Sequence, residues 1–268
     1  MTRAATWFAI CCIVGWPLAV SAQDVSFVRV EGDFEAGFGA FALAAGDVNG
    51  DGHRDVVVAN NDDDSVAVLL GDSTGFFAAP VLYPVGAGPI AIALADFNRD
   101  GNVDVVVANE LDDDIAVLLN QGDGTFGAPL TSPVGLAPEA VVVGDFDGDG
   151  EVDVATADNL DETITIQFGN GDGTFSNAQA LVAIGEPLGM TVADLDNDGI
   201  QDLVVTLTTG GIEGSGSILI LEGLGGGVFD ILPEIESDTF FFPVAVEVGD
   251  LDGDGNGDLV VVNDEGDS

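Results

Sequence analysis

Short apolar runs separated by acidic, glycine-rich segments repeat along most of the chain. In each unit, one apolar run precedes an acidic loop and a second run follows it. An acidic turn then leads to a third run, and a weaker fourth run closes the unit. The runs are rich in Val, Ile and Ala, which favours strands, and no stretch shows sustained helical periodicity. The pattern therefore predicts an all-β fold.

The apolar runs define four predicted strands per unit. The first strand covers residues 41–45, 90–95, 140–144, 190–193 and 244–249. The second covers 56–59, 105–108, 154–157, 203–207 and 259–262, and the third covers 66–70, 115–119, 164–168 and 218–221. The fourth covers 81–85, 130–134 and 180–184. Four short strands in a unit of about 50 residues are typical of a propeller blade, so we predict a β-propeller of four-stranded blades.

Five acidic loops, numbered 1 to 5, lie between the first and second strands of the units. They occupy residues 47–55, 96–104, 145–153, 194–202 and 250–258. Their starts are 49 residues apart three times and then 56, mainly because the fourth unit contains a Gly/Ser-rich stretch at 208–217. We interpret that stretch as a tolerated turn insertion, with a flexible binding loop as the alternative. The chain is an array of one repeated unit.

The fifth unit ends early. Residues 263–268 match 60–65, the point at which a third strand would begin. Residues 25–30 are a candidate fourth strand donated to the last blade. A closed five-bladed ring would then lack one strand and expose an edge. We expect a longer protein truncated at its C-terminus, with an open arc or a loosely closed five-bladed propeller as the alternative.

Loop 3 shows the chemistry of the acidic loops, with acidic side chains at positions 1, 3, 5 and 9 and glycine at position 6. Two carboxylates about 4 Å apart repel by roughly 4 kcal/mol at an effective dielectric of 20, so such a cluster indicates a cation. Calcium accepts six to eight oxygen ligands in a flexible shell. Glycine permits the tight turn at position 6, a backbone carbonyl would come from position 7, and the Asp at position 9 would close the shell. A solvated turn is the alternative, which five copies in register disfavour.

The EF-hand is the nearest competing motif, since it shares acidic positions 1, 3 and 5 and the glycine at position 6. It also requires a Glu at position 12 and a helix on each side. Position 12 is occupied here by Val58, Val107, Thr156, Val205 and Val261. The flanks favour strands, so we reject the EF-hand interpretation.

The formal net charge is -44, with four Arg and no Lys. Nucleic acid and anionic lipid surfaces are therefore poor partners, and we expect no binding to nucleic acid. A charge of this size destabilises a compact state unless counter-ions intervene, and about five bound Ca²⁺ would offset ten of these charges. The hydrophobic content of 47% is sufficient for a substantial core.

Residues 1–22 are predicted to be a signal peptide. Arg3 gives a short positive start, residues 7–20 are apolar, and residues 20–22 form a small-residue cleavage site. Membrane-anchor and lipoprotein interpretations, the latter through Cys11 or Cys12, are the alternatives. The mature chain from residue 23 would contain no cysteine and no transmembrane span, so we expect it not to be an integral membrane protein. The predicted location is secreted, extracellular or at the cell surface, with the periplasm as the alternative.

The stretch from Gly122 to Pro129, followed by the acidic pattern of loop 3, resembles the FG-GAP/VCBS repeat family. The resemblance covers residues 37–268, and well-known members form the calcium-binding β-propeller of integrin α subunits. It implies a propeller with Ca²⁺ in the loop between the first two strands of a blade. Integrin-like propellers have seven blades, whereas this chain has five acidic loops and an incomplete last repeat. The chain would then be a fragment of a seven-bladed ring.

By position, the resemblance implies four side-chain metal ligands in every loop. Loop 1 supplies Asp47, Asn49, Asp51 and Asp55, and loop 2 supplies Asp96, Asn98, Asp100 and Asp104. Loop 3 supplies Asp145, Asp147, Asp149 and Asp153, loop 4 supplies Asp194, Asp196, Asp198 and Asp202, and loop 5 supplies Asp250, Asp252, Asp254 and Asp258. The position-7 carbonyls belong to His53, Asn102, Glu151, Ile200 and Asn256. The Asn at position 3 predicts weaker Ca²⁺ binding in loops 1 and 2.

Three functions are compatible with the sequence. The leading hypothesis is a secreted or cell-surface calcium-binding propeller that serves as an adhesion or recognition module for a protein or a glycan. The second is a propeller enzyme, a hydrolase or lyase acting on polysaccharide. We expect no enzymatic activity, because the single histidine, His53, lies inside an acidic loop and no Lys is present. The third is a ligand-free scaffold segment of a larger surface protein.

Overall fold

The computed structural model describes residues 36–183, 185–208 and 215–264. Within these ranges the protein consists of nineteen β-strands and one 3₁₀ turn, Asn61–Asp63. The predicted leader and the candidate strand at 25–30 lie outside the described residues. None of the described residues forms a helix of the length and apolarity needed to cross a membrane.

Three four-stranded antiparallel sheets form blades 1 to 3. Blade 1 contains β1 (Ala40–Gly46), β2 (Asp55–Asn60), β3 (Ser65–Leu69) and β4 (Val81–Pro84). Blade 2 contains β5 (Pro89–Ala95), β6 (Asp104–Asn109), β7 (Asp114–Leu118) and β8 (Leu130–Pro133). Blade 3 contains β9 (Pro138–Gly144), β10 (Asp153–Asp158), β11 (Thr163–Gly169) and β12 (Phe175–Val182). The strands of each blade pair in chain order, with the acidic loop joining the first two.

Blades 4 and 5 depart from this plan. Blade 4 contains β13 (Glu186–Ala193), β14 (Asp202–Thr208), β15 (Ser215–Gly223), β16 (Phe229–Ile231) and β17 (Ile235–Phe241). Both β16 and β17 pair with β15, at its two ends. Blade 5 consists of β18 (Pro243–Gly249) and β19 (Asp258–Asn263) within the described residues.

The first strands of successive blades contact one another. β1 lies against β5, β5 against β9, β9 against β13, and β13 against β18. They are therefore the innermost strands, which accounts for sequences such as Ile90-Ala91-Ile92 with apolar side chains on both faces. Within the described residues, these contacts between innermost strands run in chain order from blade 1 to blade 5.

The core lies between the faces of neighbouring blades. All six residues of β6 and all six of β10 are buried, because each of these strands is covered on both sides. Ile164 and Ile166 of blade 3, for example, belong to one buried cluster with Leu203 and Leu207 of blade 4. Burying such a side chain stabilises the fold by about 1.5–3 kcal/mol. The prediction of an all-β fold made of four-stranded propeller blades is confirmed.

Phenylalanines that follow the turns between third and fourth strands pack between blades. Phe175 of blade 3 lies edge-to-face on Phe97 of loop 2, with ring centroids 6.0 Å apart. Phe229 of blade 4 contacts Phe146 of loop 3 in the same way at 6.1 Å. These contacts seat the turns of blades 3 and 4 on the acidic loops of blades 2 and 3.

The side chains of the acidic turn 112–114, between the second and third strands of blade 2, are exposed or partly exposed and also accept hydrogen bonds from backbone amides. Asp112 accepts a hydrogen bond from the Ala87 amide at 2.7 Å, and Asp113 accepts one from the Ala137 amide at 2.9 Å. Ala87 precedes the first strand of the same blade, and Ala137 precedes that of the next blade. The carboxylates satisfy backbone donors that no strand pairing reaches, so the turns fasten neighbouring blades together.

The fourth unit contains more strand than the sequence pattern predicted. The stretch 208–217 was interpreted as a turn, but Thr208 pairs with Gly216 because the ladder between β14 and β15 continues into it. Residues 209–214 lie outside the described residues. No fourth strand was predicted for this unit, whereas β16 and β17 both occupy that place. Both segments pair with β15, which holds them in the extended conformation.

Candidate metal centres

The backbone of every acidic loop wraps around the side chain at position 1. In loop 3, Asp145 accepts hydrogen bonds from the amides of Gly148 at 2.8 Å and Gly150 at 2.9 Å. The first aspartates of the other loops accept the position-6 amide at 2.8–3.0 Å in the same way. The aspartate therefore holds the turn through its own hydrogen bonds, independently of a bound ion.

Positions 3 and 5 continue this arrangement. Asp147 Oδ1 accepts the Asp149 amide at 3.0 Å, and Asp149 Oδ1 accepts the Glu151 amide at 2.7 Å. The same pair of contacts recurs in the other four loops. Within the part of the chain that the structure describes, Oδ2 of the third and fifth positions accepts no hydrogen bond in loops 3, 4 and 5. These oxygens remain free to bind a cation.

Positions 4 and 6 both adopt the left-handed backbone conformation. The position-6 glycines have φ values of 83° to 90°, as the sequence predicted. Position 4 was not predicted to be left-handed, yet it has φ of 57° at Arg99 and 62° at Asn197. Glycine at position 4 of the other three loops is the sequence signal for this second turn.

The aspartate at position 9 lies at the base of each loop and joins it to the blade. Asp153 is fully buried; its Oδ2 accepts the Phe146 amide at 2.7 Å and its Oδ1 accepts the Gly169 amide at 2.8 Å. The equivalent contacts of Asp55, Asp104 and Asp202 measure 2.7–2.9 Å. Position 9 therefore links the acidic loop to the end of the third strand.

Burial of the position-9 carboxylates has an electrostatic cost. Burial raises the pKa of Asp153 to about 6, and the nearby charge of Asp147 acts in the same direction. Burial likewise raises the pKa of Asp104 to about 6, assisted by Asp100 and Asp96. A cation held among these groups would favour their ionised forms and remove this cost.

The donor sets of loops 3, 4 and 5 fit a hard divalent cation. Asp145, Asp147 and Asp153 each offer one carboxylate oxygen, and the three oxygens lie within 4.8 Å of one another. The same holds for Asp194, Asp196 and Asp202 in loop 4, and for Asp250, Asp252 and Asp254 in loop 5. All of these ligands are oxygens, which suits Ca²⁺.

Loops 1 and 2 differ because position 3 is Asn. Asn49 Nδ2 donates to Asp51 Oδ2 at 3.1 Å, and Asn98 Nδ2 donates to Asp100 Oδ2 at 3.0 Å. The amide thus occupies the oxygen that is free in the other loops. These two loops have one negative charge fewer and satisfy themselves internally, which is consistent with the predicted weaker binding.

In loops 3, 4 and 5 the structure brings three of the four predicted side-chain ligands together, and Asp149, Asp198 and Asp258 are the ones that these groups leave out. At position 7 the backbone amide donates a hydrogen bond to the carboxylate at position 5 in every loop. Position 2 was missed by the sequence analysis: Val48, Phe97 and Phe146 are at most 3% exposed. Its signal is an apolar residue directly after the first aspartate of every loop.

The turn of the next blade closes over each of the first three loops. Asn120 Nδ2 of blade 2 donates to the Val48 carbonyl at 2.6 Å, and the Gly173 amide of blade 3 donates to the Phe97 carbonyl at 3.0 Å. In blade 4, the Gly227 amide donates to the Phe146 carbonyl at 3.2 Å. The apolar side chain at position 2 is buried by the same contact.

Solved structures with similar folds come from several organisms. One is a lectin of Agrocybe aegerita that recognises non-reducing terminal N-acetylglucosamine, 23% identical over 83% of this chain and 60% of the lectin, with a TM-score of 0.56. A Lactobacillus plantarum protein is 17% identical over 84% of this chain and 64% of its own, with a TM-score of 0.59. A putative 6-phosphogluconolactonase from Bacteroides uniformis is 13% identical over 73% of this chain and 56% of its own, with a TM-score of 0.53. This chain spans about three fifths of the length of these proteins, and the likeness concerns the fold alone.

No curated protein sequence matches the chain significantly. A profile of the FG-GAP-like repeat matches residues 47–107, 96–156 and 145–205. Each match begins at the first aspartate of an acidic loop and extends into the second strand that follows the next loop. Together the matches cover more than half of the sequence. The chain therefore belongs to the FG-GAP-like repeat family.

Proposed function

We propose that this protein is a calcium-stabilised recognition module that is exported from the cytoplasm and binds a glycan or a protein. The observation that carries the proposal is the arrangement of the acidic loops. Carboxylate oxygens converge there, and backbone amides hold the side chains without occupying the Oδ2 atoms of positions 3 and 5 in loops 3 to 5. Ca²⁺ is structural in this proposal.

Removal of divalent metal is the first test. At a 100-fold excess of Ca²⁺ over its dissociation constant, each site stabilises the fold by about 2.7 kcal/mol. For a domain of this size, chelation is then expected to lower the melting temperature by roughly 5–10 °C per site. Calorimetric scans in EDTA and in excess CaCl₂ measure the change. An unchanged melting temperature would contradict a structural role for Ca²⁺.

The recognition role is supported by the family and by a fold shared with a lectin. A glycan array and a protein pull-down from cell-surface extracts, each run with and without Ca²⁺, test it. Binding that requires Ca²⁺ is the expected result. Absence of binding in both assays would favour the ligand-free scaffold.

We propose no catalytic role for the chain. The backbone amide of His53 donates to Asp51 as part of the metal loop, so the only imidazole belongs to a structural turn. A turnover assay on a panel of polysaccharides, with boiled protein as the control, tests this part of the proposal. Release of reducing or unsaturated ends would overturn it.

A further inference from the structure

An arginine side chain connects loops 2 and 3. Arg99, at position 4 of loop 2, donates from Nη2 to the Gly150 carbonyl at 2.5 Å. Its Nη1 pairs with Glu151 Oε1 at 2.7 Å. Gly150 and Glu151 are positions 6 and 7 of loop 3, where the turn tightens and the expected carbonyl ligand lies. The arginine thus contacts the backbone that would complete the third metal site.

The backbone of Arg99 is in the left-handed region, with φ of 57°. Loops 1, 3 and 5 have glycine at this position, and loop 4 has asparagine, residues that adopt this conformation readily. Arginine is less suited to it, and the chain has only four arginines. Packing within loop 2 gives no reason for an arginine here, whereas the contact with loop 3 does.

A glutamine connects loops 3 and 4. Gln201, at position 8 of loop 4, accepts the Asp145 amide through Oε1 at 2.9 Å. Asp145 is position 1 of loop 3. Gly144 leaves the room that this contact requires, since an added Cβ there would lie 2.1 Å from Gln201 Oε1. Loop 3 is therefore held by side chains from both neighbouring loops.

Loops 1 and 2 are linked through Asn120. The Asn120 amide donates to Asp104 Oδ1 at 2.7 Å, and Asn120 Nδ2 donates to the Val48 carbonyl at 2.6 Å. The Val48 amide in turn donates to Asp55 Oδ2 at 2.9 Å. An unbroken series of hydrogen bonds thus joins the position-9 carboxylates of two successive loops.

From these contacts we infer that loops 1 to 4 bind their cations as a coupled series, in which Arg99 is the positioning residue between loops 2 and 3. The inference rests on the proposed function, because it requires that the loops bind Ca²⁺. An ion in loop 2 orders the backbone that holds Arg99, and Arg99 then orders Gly150 and Glu151 for the ion of loop 3. The coupling is reciprocal by thermodynamic necessity. Loop 5 lies outside the series, since its hydrogen bonds within the described residues stay inside the loop.

The test is a Ca²⁺ titration of chelator-treated protein followed by NMR. The amide signals of Gly101 and Gly150 report loops 2 and 3 separately, and in the wild type we expect them to shift together with a Hill coefficient above 1. Arg99→Gln should separate the two transitions and move that of Gly150 to a Ca²⁺ concentration about fivefold higher or more, the lower end of typical coupling. Arg99→Gly should do the same while relieving the backbone strain, which guards against a folding defect.

Arg54→Gln is the matched control. Arg54 lies in loop 1 but donates to the Ala45 carbonyl of its own blade, so the substitution removes the same charge without breaking a contact between loops. A double-mutant cycle of Arg99→Gln with Glu151→Gln should show that the second substitution adds little to the first.

Equal effects of Arg99→Gln and Arg54→Gln, or no effect of either, would overturn the inference while leaving Ca²⁺ binding intact. A wild-type spectrum that does not respond to Ca²⁺ would instead overturn the proposed function and the inference together.

Discussion

Loops 3 and 5 have nearly the same sequence but different surroundings. They differ only at positions 2, 7 and 8, and both fold into the same turn around their first aspartate. Phe146 at position 2 of loop 3 is 1% exposed, whereas Leu251 at position 2 of loop 5 is 70% exposed. The local hydrogen bonds are therefore a property of the loop, and burial is supplied by the next blade.

The position-9 aspartates show the same contrast. Asp153 is fully buried and accepts amides from its own loop and from the end of the third strand. Asp258 accepts the Leu251 amide at 2.9 Å and is only partly buried. Within the described residues, a metal loop of this kind folds without a third strand beside it, but its position-9 aspartate is buried only where a third strand and a following blade pack against it.

The largest expected effect comes from truncating position 2. Phe146→Ala should lower the free energy of unfolding by about 3–5 kcal/mol, because it removes a buried aromatic ring that packs on Phe229. Leu251→Ala should change it by less than about 0.5 kcal/mol, since that side chain is exposed. Guanidinium unfolding in excess Ca²⁺ measures both. Similar losses for the two variants would remove the distinction between the loops.

Truncating position 9 should have the next largest effect. Asp153→Ala leaves the Phe146 and Gly169 amides without their acceptor, which is expected to cost about 2–4 kcal/mol in EDTA. Asp258→Ala removes the acceptor of a single exposed amide, that of Leu251, and should lower the free energy of unfolding by about 1 kcal/mol or less. An additional loss in Ca²⁺ relative to EDTA would report the metal-ligand role of each aspartate. If Asp258→Ala were the more damaging in EDTA, the proposed anchoring role of Asp153 would be wrong.

Exchanging the residue at position 3 should change the stability of the protein in opposite directions without Ca²⁺ and with Ca²⁺. Asn98→Asp removes the hydrogen bond to Asp100 and adds a like charge, so it should destabilise the protein in EDTA. In Ca²⁺ it should tighten binding at loop 2 about tenfold, or about 1.4 kcal/mol. Asp252→Asn in loop 5 is the reciprocal exchange and should weaken binding there by a similar factor. Titration calorimetry measures the affinities, and a loss of affinity in Asn98→Asp would refute the charge argument.

The strands and the loop turns could be predicted from the sequence because both depend on local patterns. The β-branched run Val105-Val106-Val107 favours a strand. The turn of loop 3 depends on the contact between Asp145 and the Gly150 amide, which lie in the same loop. The contacts between loops could not be predicted, because Arg99 and Gln201 act on residues about 50 positions away that only the blade packing brings near. The strands β16 and β17 were missed for the same reason, since they follow the edge of β15 rather than a pattern of their own.

The smallest predicted effect concerns a buried carboxyl group of blade 3 that lies outside the metal loops. Asp158 accepts hydrogen bonds from Thr156 and Thr163. At the equivalent strand position, blades 1 and 2 have the buried Asn60 and Asn109, and blade 5 has the exposed Asn263. Burial raises the pKa of Asp158, so its contribution to stability is fully present below the unfolded-state pKa and is lost as pH rises through the folded-state pKa. Asp158→Asn should therefore gain stability relative to the wild type as pH rises from about 3 to 7.

Asp172, in a turn of the same blade, provides a control of opposite sign. Hydrogen bonds from the Thr174 hydroxyl and amide lower the pKa of Asp172, so it contributes stability above the unfolded-state pKa and loses it as pH falls through the folded-state pKa. Asp172→Asn should accordingly lose stability relative to the wild type over the same rise in pH. Urea unfolding of the three proteins at each pH measures the differences, and the metal loops titrate alike in all of them. Parallel pH profiles for wild type and Asp158→Asn would mean that blade packing does not perturb the pKa of this carboxyl group, and the contrast between blades 3 and 5 would then be confined to their acidic loops.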